Sequence, residues 1–441
     1  MRSIHRSAVA GFAVLLLCLP ALVEATDWPG WRGPERDGRS PETGLKESWP
    51  EGGPPLAWKA SGLGNGYSSL AVVGDRVYTL GDHGDTQHAL ALSKDDGKIL
   101  WKTPIGPAHH HEYIGSRSTP TVDGDRVYVL STEGDLSCLD AADGKVRWQR
   151  SLPKDFGGTM MSIRGHNWKF AESPLVDGDR VVVTPGAKDA ALVALDKTTG
   201  QEIWRAKVPT LGEKGADGAG YSSVVISHGA GVKQYVQLMG RGVVGIEADT
   251  GRFLWGYNRV ANDVANIPTP LVFGDHVFAS TGYGTGAVLL ELSKSEDGVE
   301  AREVYFLEGN VFQNHHGGLI LDDAHVYTGT GHNKGFPLAL RWKDGEVAWG
   351  PVRNEGQGSA AATYADDRIY LRYQGGRMIL MEASPEEYRE RGSFEIPDVQ
   401  QFSWSHPVVA YGMLWLREQD ELLVYDISER AKKVPEKSPS R

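Results

Sequence analysis

From residue 56 to residue 427 the chain alternates apolar and polar positions in short runs, each broken by a Gly-Asp, Asp-Gly or Gly-Lys pair. Alternation with a period of two places successive side chains on opposite faces of a strand. Glycine beside aspartate between two such runs marks a tight hairpin. One full unit is legible between Ser118 and Trp148. It has predicted strands over 119–122, 126–131, 136–140 and 145–149, joined at Gly124-Asp125, Gly134-Asp135 and Asp143-Gly144. The second strand's opening, Gly124-Asp125-Arg126-Val127-Tyr128, also occurs as Gly74-Asp75-Arg76-Val77-Tyr78, Gly178-Asp179-Arg180-Val181-Val182 and Gly274-Asp275-His276-Val277-Phe278. Weaker copies begin at Asp323, Asp367 and Tyr411.

Each unit ends on an aromatic residue: Trp58, Trp101, Trp148, Trp204, Trp255, Tyr305 or Phe306, Trp349 and Phe394. Four antiparallel strands in roughly 45 to 55 residues make one propeller blade, so these aromatics predict eight blades. The fifth and sixth units are degenerate, and a seven-bladed ring is the alternative. Leu56-Ala57-Trp58-Lys59 precedes any inner strand, whereas the last repeat, from Trp404 to Ile427, has three strands and no closing tryptophan. Residues 56–59 are therefore expected to supply the outer strand of the last blade, which joins the chain ends and removes a free sheet edge. The predicted fold is all-β, an eight-bladed β-propeller of four-stranded antiparallel blades closed by an N-terminal strand.

The flanks differ from this pattern. Arg2 and Arg6 precede an apolar run from Ala8 to Val23, and Val23-Glu24-Ala25 supplies a cleavage site, so residues 1–25 are expected to be a secretory signal peptide. Residues 26–55 then form an N-terminal extension, 56–427 the propeller, and 428–441, rich in Lys, Pro and Ser, a disordered tail. After signal cleavage no membrane span is expected. Removing Cys18 leaves Cys138 without a partner for an internal disulfide, and its place on a strand with Leu136 predicts a buried, inert thiol. The protein is expected to be secreted or periplasmic. Its net charge of −11, without a basic stripe, excludes general attraction to nucleic acid.

Repeated apolar residues are explained by packing between blades, so function is expected where the repeat breaks. The loops from the outer strand of one blade to the inner strand of the next carry seven of the thirteen histidines outside the signal segment: His109, His110, His111, His166, His315, His316 and His406. Glu112, Tyr113, Arg117, Trp168, Glu172, Asp263, Asn266, Gln401 and Trp404 lie in the same loops. Such a mouth suits a ligand funnel, although loops at a wet mouth are polar in any case. Neutral imidazoles are common transition-metal ligands. Adjacent histidines cannot all face one ion, so a metal site would draw one residue from each of several loops: His109, His111, His166 and His406.

At the repeats the chain resembles the pyrroloquinoline quinone (PQQ) repeat family. STEGDLSCLDAADGKVRW, from Ser131 to Trp148, and ALVALDKTTGQEIW, from Ala191 to Trp204, look like that family's repeat. DWPGWRGPERDG, from Asp27 to Gly38, looks like the opening of its secreted members. The resemblance implies a propeller of one of two kinds. One is a scaffold similar to BamB-type outer-membrane assembly propellers, with an envelope protein or small ligand as partner and no established cofactor. The other is a quinoprotein dehydrogenase oxidising an alcohol or sugar with PQQ and calcium. For the dehydrogenase, the resemblance implies Arg117 at the quinone and Glu172 and Asn266 at calcium; Trp404 is a further candidate at the cofactor, and His315 or His316 the candidate proton acceptor in place of the family's aspartate. Two departures favour the scaffold. Adjacent cysteines that would stack on a quinone are missing, and Asn314-His315-His316 stands where the dehydrogenases carry a catalytic aspartate.

Overall fold

The computed structural model describes residues 26–110, 112–162, 167–296, 298–353 and 356–429. The predicted signal segment, His111, His166 and the tail from residue 430 lie outside the described residues. The chain forms eight four-stranded antiparallel sheets. Seven are built from consecutive strands. The eighth takes its outer strand from Leu56–Ser61, which pairs with Glu421–Asp426. Eight blades and closure by the N-terminal strand are therefore observed, and the seven-bladed alternative falls. Among the described residues no helix is long and apolar enough to cross a membrane.

The core consists of eight apolar clusters, each between neighbouring blades. Leu90 and Val77 of the first blade meet Leu422 and Val424 of the last, and Val127 and Leu139 of the second meet Leu80 of the first. Because strand side chains alternate, each blade feeds one face to its predecessor and the other to its successor. Cys138 belongs to the cluster between the second and third blades, where burial pushes its thiol up to about 11.

The two repeated sequence landmarks meet across these interfaces. Trp101 donates its indole N–H to Ala141 O at 3.1 Å, Trp148 to Lys197 O at 3.1 Å and Trp204 to Ala248 O at 3.1 Å, each acceptor lying in the next blade. The turn glycine of that next blade lies under the ring. A Cβ at Gly144 would sit 2.7 Å from Trp101, and one at Gly200 2.7 Å from Trp148. Trp58 covers Gly97 of the first blade in the same way, which continues the series through the closure. The fourth blade departs from it: the indole of Trp255 turns inward to Gln234 at 2.6 Å.

Residues 26–40 rise into the central bore from the face opposite the interblade loops and return to that face. Trp28 pairs with Val72 and Pro29 O accepts from Val122 N, on the inner strands of the first two blades. At the apex, Trp31 donates to Thr269 Oγ1 at 2.9 Å, Arg32 to Leu319 O at 2.5 Å, and Arg36 to Ser173 O and Pro174 O at 2.8 and 3.0 Å. On the way out Ser40 N reaches Tyr364 O at 2.8 Å, and Arg39 pairs with Asp322 at 2.7 Å. Leu45 and Trp49 then pack on the seventh and eighth blades. Leu45 bridges to Ser428, and Glu429 N donates to Gly44 O, so the first two residues of the expected tail pair with the extension.

Candidate functional site: an aromatic funnel with a borrowed floor

The interblade loops and the hairpins between second and third strands emerge on one face and surround a cavity of about 430 Å3. Trp31 and Arg32 of the extension form its floor. Its wall carries Tyr67, Tyr113, Trp168, Tyr221, Tyr283, Phe402 and Trp404. Trp404 is the hub of this wall. It stacks on Phe402 at 4.9 Å, meets Tyr67 at 4.8 Å, Tyr113 at 4.9 Å and His316 at 4.7 Å, and donates to Gln374 Oε1 at 2.8 Å. The ring contacts fix the indole in one orientation.

Against this hub lies an imidazole cluster. His315 stacks on His316 at 3.7 Å and sits 4.3 Å from His332. Its ring nitrogens reach Ser359 Oγ at 2.8 Å and Tyr283 Oη at 3.1 Å. His406 packs on Trp31 at 4.5 Å and bonds through Nε2 to His316 O at 3.2 Å. Burial, reinforced by neighbouring imidazoles or arginines, pushes His315 down to about 2 and His316 and His406 to about 3. These rings are neutral at pH 7, and a base with so low a proton affinity does little to draw a proton from an alcohol.

The structure brings Arg117, Trp404, His315, His316 and His406 together at this cavity. Glu172 and Asn266, expected as calcium ligands, are not among its lining residues. Glu172 is buried within the third blade, accepting from Thr184 N and from Gln237 Nε2 at 3.2 Å. Asn266 accepts from Asn262 N at 3.0 Å and donates to Met239 O and Gly240 O. Both side chains tie loops down. His109 is also off the cavity, beside Glu133 at 3.4 Å, and among the described residues no group of three or more His, Cys, Asp or Glu is placed to hold a metal. Calcium sites are built on oxygen ligands with carboxylates among them, and the described lining offers no carboxylate. PQQ with calcium therefore does not fit this donor set.

Glu172 has a measurable signature. Burial pushes its carboxyl up to about 7 from an ordinary 4.5, outweighing the Thr184 hydrogen bonds and the nearby Arg36. Between pH 4.5 and 7 the folded state holds a proton that the unfolded chain has released, so stability falls as pH rises through that window. Denaturant unfolding of wild type and Glu172→Gln at both ends of the window should show a gap that changes by about 3 kcal/mol. A pH-independent gap would mean that the carboxyl is ionised throughout.

Sequence reasoning missed Trp31, Arg32, Tyr283, His332, Asn333 and Gln374. The last four sit on hairpins between second and third strands, which share the mouth with the interblade loops. Strand alternation alone would have placed those turns there.

A closed ring of eight blades locked by tryptophan on glycine, with a funnel on one face, defines an eight-bladed repeat propeller. The chain belongs to the PQQ-like repeat family whose profile is described as outer membrane protein assembly factor BamB; that profile matches residues 52–168 and 85–351. Two curated relatives bear that same name. The protein from Alkalilimnicola ehrlichii is 28% identical over 144 residues, 32% of each chain, and that from Xanthomonas campestris pv. campestris is 32% identical over 110 residues, 25% of each. The match thus spans a third or less of the length of these relatives. Among solved structures, BamB from Moraxella catarrhalis aligns with a TM-score of 0.58 at 13% identity, covering 85% of this chain and 98% of that one. Quinohemoprotein alcohol dehydrogenase from Comamonas testosteroni aligns at 0.61 and 12%, covering 94% and 82%. At such identities the likeness is one of fold.

Proposed function

We propose that the protein is an exported recognition scaffold that holds an envelope protein or a small ligand at its funnel face. The observation that carries this reading is the aromatic mouth around Trp404, a ring-lined hollow of the size that small ligands and anchoring side chains fill. The outer-membrane assembly role in the relatives' names supports an extracytoplasmic partner, and the N-terminal segment before Thr26 supports export. Quinone-dependent oxidation is disfavoured, because Glu172 and Asn266 spend their polar atoms on backbone groups and on the Gln237 amide.

A photo-crosslinking residue placed at Phe402, exposed at the mouth, should trap a partner in the cell envelope, whereas one at Ile203, exposed on an outer strand, should not. Equal adducts at both positions, or none at Phe402, would count against the funnel as the recognition face. Calorimetric titration of the purified protein with PQQ provides a second check. Calcium is expected to leave the heat unchanged, and tight calcium-dependent binding would restore the dehydrogenase reading.

A further inference from the structure

The funnel's charge is opposite to that of the chain. Acidic residues outnumber basic ones 57 to 46 overall, yet the described lining holds two arginines, Arg32 and Arg117, and neither Asp nor Glu. Arg117 is anchored by donating to Tyr113 O at 2.6 Å and Gly115 O at 2.9 Å; among the described residues no carboxylate forms a salt bridge with it, and Asp82 and Glu133 act on it only through space. Arg32 is 3% exposed. Its Nε and Nη1 have no hydrogen-bond partner, and burial lowers it to about 10, so it remains a cation at pH 7.

The rest of the wall combines ring faces with neutral polar groups. Asn333, Gln374, Ser223 and Thr269 add amides and hydroxyls. A plain hydrocarbon ring would leave these groups unsatisfied, at a cost in free energy. A ligand bearing many hydroxyls would satisfy them while laying its C–H face on Tyr113 or Trp404.

We propose that the funnel binds an acidic sugar, a uronic acid or short uronide, without a metal: its carboxylate on Arg117, its ring against the Trp404 cluster, its hydroxyls on the amides and hydroxyls of the wall. The assignment rests on the reading of the funnel as a recognition site and names what is recognised. Arginine suits the carboxylate because its planar fork matches two oxygens.

The test is calorimetric titration of the full chain, in EDTA, with D-galacturonate and digalacturonate beside D-galactose and 2-naphthoate. The acidic sugars are expected to bind about tenfold or more tightly than galactose, a difference of about 1.4 kcal/mol. Wild-type affinity for them should fall as salt is raised. Arg117→Gln should cost the acidic sugars about tenfold more than it costs galactose. If that variant does not fold, the salt series on wild type decides the charge question alone. Galactose binding as tightly as galacturonate would overturn the anionic assignment while leaving the funnel a ligand site. Naphthoate binding with no sugar binding, lost in Trp404→Ala, would overturn the sugar assignment and keep the funnel. No binding of any probe at millimolar concentration overturns the acidic-sugar assignment. If Phe402 crosslinks are also absent, the recognition reading falls with it.

Discussion

Replacing Glu418 with Ala should lower the unfolding free energy by about 3–5 kcal/mol. Its carboxylate pairs with Arg372 at 2.7 Å, the two side chains being 1% and 0% exposed. Arg372 also donates to Ser405 O at 2.8 Å and Arg417 O at 2.6 Å, and Ser403 donates to the same carboxylate. Removing the acid strands a guanidinium in the interior, where water cannot replace the lost partner. Replacing both partners at once, as Arg372→Met with Glu418→Leu, should recover most of the loss, because apolar groups of similar volume carry no desolvation penalty. The preceding residue in the strand tightens the same region. Arg417 donates to Thr79 Oγ1 at 2.7 Å, Gly64 O at 3.0 Å and Leu80 O, so the last blade grips the first at the seam of the ring. Urea unfolding followed by tryptophan fluorescence measures both variants. A loss below about 1 kcal/mol for Glu418→Ala would place the pair with exposed ones.

Deleting residues 26–52, while keeping the closing strand, should destabilise the ring by about 5 kcal/mol or more. Trp28, Leu45 and Trp49 are buried against the blades, and burying one large apolar side chain contributes roughly 1.5–3 kcal/mol. The truncated ring should also lose ligand binding, since Trp31 and Arg32 leave with the extension. A synthetic peptide of residues 26–50 added to the truncated ring should restore the thermal midpoint in proportion to its occupancy. An unchanged midpoint on truncation would mean that the extension lies on the ring without supporting it.

The ring was legible in the sequence because its determinants are local and repeated. Gly-Asp turns, alternating strands and one closing aromatic per unit each mark a position, and eight copies average out the degenerate ones. Even the closure by residues 56–59 follows from one missing strand. The site was legible only in part. Arg117, His315, His316, Trp404 and His406 sit in the loops where the repeat breaks, and that break is visible in the sequence. The floor was not visible. Asp27-Trp28-Pro29-Gly30-Trp31 has neither strand nor helix periodicity, and its order comes from contacts with the first, second, fifth and eighth blades. Glu172 and Asn266 were assigned by resemblance to a pocket, but each side chain satisfies backbone groups close to it. Spacing along a chain does not say which way a carboxylate turns.

The extension enters and leaves the bore by the same face, its outgoing limb at Ser40 beside Tyr364 and its incoming limb at Trp28 beside Val72. A segment laid in this way is unlinked from the ring: it can be drawn out like a stopper on a cord without parting a single blade. Its release is a local opening with its own free energy, separable from the cooperative unfolding of the propeller. Amide exchange at Trp28, whose N–H donates to Val72 O at 2.7 Å, would report that free energy, while exchange in the second strands of the blades would report the ring.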